Sequence, residues 1–474
     1  MISSQEYLAR LKRLKSNIYM GGELVERDDP RILPGIKVVS LTYDLVEHPQ
    51  YSESLTAVSH LSGKKINRFT HIHQTPDDLM KKQEMTRLLT RKSGFCIQRC
   101  MGIDAMNALS VVTKEIDDAK GTEYYSRFLE YLKYWQDNDI TGCCAQTDVK
   151  GDRSLRPHQQ KDPDLYLRII DKNKDGIIVR GAKHCITTAA YAEEIIVVPT
   201  RAMTKDDAPW AVAFGIPADT KGVYLVNRAS SPRPRKYLKA PFAEYGSSDS
   251  FIIFDDVFVP WDRVFMCGEY EFAGRLALLF ALFHRHSYTG CKPAVTDVIM
   301  GFTALAAEYN GVEKAQHIRE KLASLMSVAE LVYAAGIAAA VKSSKSSSGT
   351  CIPEPIFCNT GRKHAGENIY HEHEILTEVA GGIPATLPYE DDFFNENVGP
   401  LLNKYLVRKE GISSENQHRC FRCISDLNCS AFGGVWQYAG VHGGGSPIME
   451  TIAILGNYDL ELRKRIAKEL AGIN

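Results

Sequence analysis

Between about residue 141 and residue 272 the chain carries a succession of short β-branched and aromatic runs: GIIVRG, EIIVVPT, WAVAFGI, GVYLV and SFIIFDDVFVP. Gly, Pro, Asp and Asn separate them. On both sides the apolar period is helical, as in DDLMKKQEMTRLLTRK and YYSRFLEYLKYWQDN before the block and DVIMGFTALAAEYN and KLASLMSVAELVYAAGIAAAVK after it. Strands gathered in one block, without intervening helices, cannot build the alternating βα units of a parallel doubly wound sheet. The order predicts an α+β protein with an N-terminal helical domain (1–140), a middle antiparallel β-domain (141–272) and a C-terminal helical bundle (273–474). A chain of 474 residues is long enough for two or three packed units.

The net charge of −1 gives no basic excess for a phosphate backbone, so no nucleic-acid partner is expected. The N-terminal MISSQEYLARLKRLKSNIYMGG spaces Tyr7, Leu8, Leu11 and Leu14 as a surface helix and lacks the apolar core of a secretory signal. The most apolar run, Leu276 to Phe283, is far shorter than the roughly 20 residues that cross a bilayer. No membrane span is expected, and the expected location is cytoplasmic. Twelve cysteines in a chain of this length are too dilute for a disulfide scaffold.

Several chemistries lose their motif. No G-x-G-x-x-G follows a strand and no G-x-x-x-x-G-K-[ST] occurs. HGGGSP (His442 to Pro447) has no accompanying G-x-S-x-G, which sets a serine hydrolase aside. Two stretches remain. In GFCIQRCMG, Cys96 and Cys100 stand four apart; on one helix they would share a face, about 6 Å apart along the axis. In FHRHSYTGCK, His284 and Cys291 stand seven apart, two turns of helix, with Thr289 and Gly290 predicting a loosening before Cys291. Core cysteines and an iron–sulfur ligand set are both consistent with this spacing. A third cysteine group, Cys420, Cys423 and Cys429, contains a CxxC without a partner and reads as buried helix-face cysteines. QTDVKGDR (Gln146 to Arg153) and RGAKHCITT (Arg180 to Thr188) concentrate polar turn residues beside strands, a usual setting for binding loops.

NRFTHIHQTPDDL, FCIQRCMGIDAMNA, TDVKGDRSLRPHQQKDPDL, VRGAKHCITT, FDDVFVPWDRVF, HRHSYTGCK, AGGIPATLP and HGGGSP occur in an order that resembles the 4-hydroxybutyryl-CoA dehydratase/vinylacetyl-CoA isomerase family. That family lies within a wider group of flavin-dependent 4-hydroxyphenylacetate hydroxylases, and the likeness runs over essentially the whole chain. The resemblance implies an acyl-CoA dehydrogenase-like fold, a homotetramer built as a dimer of dimers, an acyl-CoA substrate, FAD and a [4Fe-4S] cluster. It implies Cys96, Cys100, His284 and Cys291 as cluster ligands and His284, Tyr288, Asp249 and Gln98 as catalytic groups. Gln146, Thr147, Lys150, Asp152, Arg153, Lys183, Thr187 and Lys292 correspond to flavin contacts, and Gly381 and Gly382 to a turn approaching a neighbouring subunit's FAD. The implied reaction is a radical dehydration or isomerisation of an acyl-CoA; a phenol monooxygenase is the other activity of the wider group. Two positions depart from the pattern. Ala439 stands where the family carries a catalytic Glu, leaving His442, Tyr438 or Glu450 as candidate replacements, and Asp249 stands where a longer Glu is usual.

Overall fold

The computed structural model describes residues 1–473. Its principal helices are α1 (Ser4–Arg13), α2 (Leu33–Asp44), α3 (Pro76–Ser93), α4 (Cys100–Lys120), α5 (Tyr124–Asp137), α6 (Tyr270–Tyr309), α7 (Gln316–Val341), α8 (Pro355–Ala380), α9 (Ser414–Asn428) and α10 (Ala431–His442). The strands used below are β1 (Ile18–Met20), β2 (Glu23–Val25), β3 (Gly142–Ala145), β4 (Arg168–Lys172), β5 (Gly176–Thr187), β6 (Glu194–Val197), β7 (Val212–Pro217), β8 (Val223–Ser230), β9 (Ser247–Pro260) and β10 (Val264–Cys267). The long helices flank this β-block in sequence, as the change of apolar period predicts.

Six strands form one sheet in the order β2-β1-β8-β9-β5-β4, and four form a second in the order β10-β7-β6-β3. The sheets are mixed, where antiparallel pairing alone was expected: β1 runs parallel to β8 and β3 runs parallel to β6. The N-terminal segment, expected to be helical, supplies β1 and β2. Ile18 is fully buried there, and Asn17 Nδ2 donates to the carbonyls of Ala218 and Val223, which fixes the chain against the edge of β8.

Helix α3 starts on a capping box between Thr75 and Asp78 and stops at Gly94, whose left-handed φ of 84° is the usual helix-terminating conformation. A side chain at Gly94 would also collide with the Phe242 ring. The next helix begins only at Cys100, because Cys96 to Arg99 form a loop in which Gln98 has φ 67°. The single helix expected to carry both Cys96 and Cys100 is therefore absent: Cys96 lies in the loop and Cys100 in the first turn.

Helix α6 runs for 40 residues without the predicted loosening at Thr289–Gly290, even though Pro293 lies inside it. Proline has no N–H to give the carbonyl four residues earlier, that of Thr289. Gln83 Nε2 on α3 donates to that carbonyl at 3.1 Å and to the Tyr333 carbonyl on α7 at 2.8 Å, so three helices share one side-chain amide. Gly290 is there for space: an added Cβ would fall inside 3.0 Å of Thr86 Oγ1 and the Gln83 carbonyl oxygen. These contacts hold α6 close to α3 and the Cys96 loop.

Among the described residues one helix, α7, is long and apolar enough to cross a membrane by length and composition, with 39% of its apolar window buried. Leu325, Val328, Ala329 and Val332 of this helix are buried in the bundle, while Met326, Leu331, Ile337 and Val341 are exposed.

Candidate active site

Cys96, Cys100, His284 and Cys291 line one cavity of about 150 Å³, although they come from a loop, the start of α4 and two positions of α6 that are two turns apart. The neighbouring Cys100 and Cys291 thiols hold Cys96 well below the ordinary thiol range, and the Cys96 sulfur together with burial pushes Cys100 and Cys291 up. Three sulfurs and one imidazole on a shared wall form a soft donor set, suited to iron–sulfur or zinc chemistry.

Asp104, four residues beyond Cys100 on α4, is fully buried and hydrogen-bonds His284 Nδ1 at 3.0 Å through Oδ2. The ligand atoms of Cys100, Asp104 and His284 all lie within 4.8 Å of one another. Asp104 is nevertheless engaged on its far side, by Lys82 Nζ at 3.1 Å and by Ser287 Oγ at 3.0 Å. Lys82 also donates to the Phe283 carbonyl at 3.0 Å. This is the arrangement of a carboxylate that orients a ligand histidine, leaving Nε2 free to coordinate. Motif reading missed Asp104 and Lys82; the i, i+4 spacing of Cys100 and Asp104 was the available signal.

The same cavity is lined by Gln98, Thr187, Asp249, Tyr288 and Lys292. Thr187 pairs with Asp249 across β5 and β9, and its hydroxyl donates to Asp249 Oδ1 at 2.6 Å. Burial raises the Asp249 carboxyl above its ordinary range. Tyr288 donates to the Gly440 carbonyl at 2.7 Å, and burial pushes its phenol up. Lys292 Nζ contacts Glu372 Oε2 at 2.5 Å and Thr296 Oγ1 at 2.9 Å, all three residues being buried. Gln98 uses its amide on the Gly246 carbonyl and on Tyr191 Oη, so its side chain braces the loop. Phe95, Phe432 and Trp436 add an aromatic wall.

Other sequence candidates lie outside this cavity lining. Lys183 Nζ is fully engaged by the Gln146 carbonyl, Asp148 Oδ1 and the Val198 carbonyl, at 2.8, 2.7 and 3.1 Å, and so fastens the Gln146–Arg153 loop to β5. Within that loop Thr147 accepts from the His184 amide, the Lys150 carbonyl accepts from Tyr166, and Asp152 caps Ser154, while Arg153 is exposed. Gly381 and Gly382 are exposed at the end of α8. Cys420 and Cys423 are buried on α9 and Cys429 is exposed, with no metal-like grouping among the described residues there. All twelve cysteines are free.

Ala439 lines the cavity, but none of its three candidate replacements does. Tyr438 and His442 are exposed and stack on each other with ring centroids 5.4 Å apart. Glu450 is buried behind the Gly-rich turn, 3.9 Å from both Arg285 Nε and Arg362 Nε. Those arginines donate to the Gly444 and Gly443 carbonyls. Glu450 thus stands behind the turn, paired with two arginines that hold the turn's backbone, and is absent from the cavity lining.

Comparison with known proteins agrees with this arrangement of elements. Residues 3–266 match the family profile described as 4-hydroxyphenylacetate 3-hydroxylase N terminal, and residues 273–472 match its C-terminal counterpart. The 4-hydroxybutyryl-CoA dehydratase/vinylacetyl-CoA-Δ-isomerase of Clostridium aminobutyricum is 39% identical over 488 aligned positions, covering 100% of both chains. The 4-hydroxyphenylacetate 3-monooxygenase oxygenase component of Thermus thermophilus is 29% identical, covering 90% of this chain and 88% of its own. Among solved structures, an oxygen-tolerant archaeal 4-hydroxybutyryl-CoA dehydratase from N. maritimus superposes with a TM-score of 0.95 at 38% identity, over 100% of this chain and 95% of its own. A mutant HpaB complexed with FAD superposes with a TM-score of 0.91 at 25% identity, over 100% and 99%. The chain thus belongs to the 4-hydroxyphenylacetate 3-hydroxylase family, among its members related to 4-hydroxybutyryl-CoA dehydratase/vinylacetyl-CoA isomerase.

Proposed function

We propose that this protein dehydrates 4-hydroxybutyryl-CoA to crotonyl-CoA and isomerises vinylacetyl-CoA, using FAD and a [4Fe-4S] cluster. The observation that carries the reading is the meeting of Cys96, Cys100, Cys291 and His284 on one cavity that Thr187, Asp249 and Lys292 also line. A phenol hydroxylase would have no task for that donor set.

In this reading Cys96, Cys100, Cys291 and His284 Nε2 hold the cluster. Thr187, Lys292 and the Gln146–Arg153 loop, with Thr147, Lys150 and Asp152, receive the FAD, Lys183 keeping that loop in place, while Asp249 stands beside Thr187 among the catalytic groups. Gly381 and Gly382 reach a neighbouring subunit's FAD. The wider arrangement is an acyl-CoA dehydrogenase-like homotetramer in the cytoplasm, each chain divided into units 1–140, 141–272 and 273–474. Bound together, the two groups supply electron transfer and a Lewis-acidic iron, which suits a hydroxyl leaving from a carbon whose neighbouring C–H bond is not acidified by the thioester.

The chain's own residues do the positioning. Asp104 holds His284 Nδ1, so the imidazole keeps Nε2 directed to the ligand position. Tyr288 keeps its proton at neutral pH as an ordinary phenol does, burial raising it further, and it can present that proton to a departing oxygen. Phe95, Phe432 and Trp436 exclude water from the reacting carbons.

Anaerobic purification with iron and flavin analysis, followed by assay on 4-hydroxybutyryl-CoA, tests the proposal. A brown protein with about four irons per chain that forms crotonyl-CoA is the expected result. A yellow, iron-free protein that hydroxylates 4-hydroxyphenylacetate with reduced FAD and oxygen would replace this reading with the monooxygenase one.

A further inference from the structure

His373 lines the same cavity from α8, in the region of wall that contains Ile369, Leu427 and Ala439. Ile369, one helical turn before His373, packs against Gly440: a side chain added at Gly440 would meet Ile369 Cδ1 at 2.7 Å. His373 therefore stands beside the segment that carries Ala439.

Its protonation pattern follows from its neighbours. Asn428 Nδ2 lies 3.0 Å from the His373 carbonyl oxygen, an atom that can only accept, so this end of the Asn428 amide is the donor. It also donates to Thr377 Oγ1 at 2.8 Å, whose own proton goes to the His373 carbonyl. The other end of Asn428, 2.7 Å from His373 Nδ1, is then the acceptor oxygen. Nδ1 must carry the hydrogen, and Nε2 is left with a lone pair and no hydrogen-bond partner among the described residues. Burial moves the His373 imidazole below its ordinary range, which favours the neutral ring.

The other titratable groups on the wall are engaged. Four are the proposed ligands, Lys292 is paired with Glu372, Tyr288 donates to Gly440, and Asp249 accepts from Thr187. We infer that His373 is the base that takes the proton from the carbon next to the thioester carbonyl. This assignment rests on the acyl-CoA reading above.

The step balances without a further reagent. The C2–H bond breaks, its proton goes to Nε2, and its electron pair remains on the substrate as the enolate. In the conversion of vinylacetyl-CoA the imidazolium returns that proton to C4, giving crotonyl-CoA and a neutral ring. Asn428 accepts from Nδ1–H throughout and stabilises the imidazolium, as a positioning residue.

The test uses the anaerobically purified holoenzyme and measures the initial rate with vinylacetyl-CoA and with its 2,2-dideuterated form. His373→Gln, and His373→Gly with and without added imidazole, are compared with the parent. Removal of a general base lowers such rates by about 10²–10⁴-fold. The expected result is a loss in that range, a larger isotope effect in the glutamine variant, partial recovery of the glycine variant with imidazole, and parental iron and flavin contents. A rate within threefold of the parent, or a loss with no change in isotope effect and no imidazole recovery, overturns the assignment. A parent enzyme that converts neither vinylacetyl-CoA nor 4-hydroxybutyryl-CoA overturns the acyl-CoA reading itself, and His373 as its base falls with it.

Discussion

Gly290→Ala and Gly301→Ala exchange the same two residue types inside the same helix, yet their effects should have opposite signs. Both glycines lie in α6. An alanine Cβ at 301 meets nothing within 4 Å, so the substitution gains only helix propensity, about 1 kcal/mol. At 290 the Cβ would lie closer than 3.0 Å to Thr86 Oγ1 and to the Gln83 backbone oxygen, and the latter cannot rotate away. Relieving both contacts requires α3 and α6 to separate, an overpacking cost of ~3 kcal/mol at the upper end of the usual range. Subtracting the same ~1 kcal/mol propensity gain leaves Gly290→Ala less stable than the parent by ~2 kcal/mol and less stable than Gly301→Ala by ~3 kcal/mol. Urea unfolding of the three proteins at matched cofactor content, compared at equal m-values, measures this difference. Iron analysis supplies a second readout, since separating α3 from α6 draws Cys291 away from the Cys96 loop. Equal midpoints for the two variants, with full iron in Gly290→Ala, would refute the claim that glycine is needed there for helix approach.

Three further outcomes follow from the site and its supports. Asp104→Ala leaves Lys82 buried without its carboxylate, which costs about 3–5 kcal/mol; Asp104→Asn keeps the packing and should lower metal affinity by about 10–100-fold through the loosened His284, measured as iron retained against a chelator. Gln83→Ala leaves the Thr289 carbonyl without a donor and should destabilise by about 1–3 kcal/mol in thermal unfolding, with Gln83→Glu no better because a carboxylate cannot donate. Acid should destabilise the fold through His73 and His418. Burial holds both below the ordinary histidine range, His418 at about 3, so they stay neutral when folded and bind protons when unfolded. Their contribution is complete above about pH 6.5 and is lost progressively as pH falls below it; the melting temperature should drop between pH 7.5 and 5.0, and His418→Phe should flatten that drop.

The order of helical and β segments was legible because apolar period is a local property, whereas the spacing of Cys96–Cys100 and His284–Cys291 left core cysteines and a ligand set both open, and only the family resemblance grouped the four. What sequence reading lost was set at long range. Gly94 and Gln98 turn Cys96 out of a helix that its spacing suggested, and the Phe242 ring that enforces Gly94 comes from a distant segment. Thr289 and Gly290 suggested a loosening of α6, but the helix runs on through Pro293, because Gln83, 206 residues away from Thr289, supplies the donor that proline lacks. β1 gave little strand signal because it is three residues long and depends on an edge that β8 provides. His373 gave no signal at all: the state of its ring depends on Asn428, which only tertiary packing brings beside it. Lys183 illustrates the reverse case: expected in a binding loop, it lies on β5 with its charge fully engaged within the protein.

The pairing of Ile18 with Leu225 and of Tyr19 with Val226 has a consequence for biosynthesis. The first strand leaves the ribosome long before its partner: at 5–20 residues per second, a separation of roughly 200 residues is a wait of ~10–40 s. During that interval Ile18 has only the short β2 beside it, and the large sheet stays unfinished at its other side. Removing or masking the opening 25 or so residues, as a bulky N-terminal fusion can, should therefore show itself as low soluble yield from an open edge at β8, well before any effect on the chemistry some distance away.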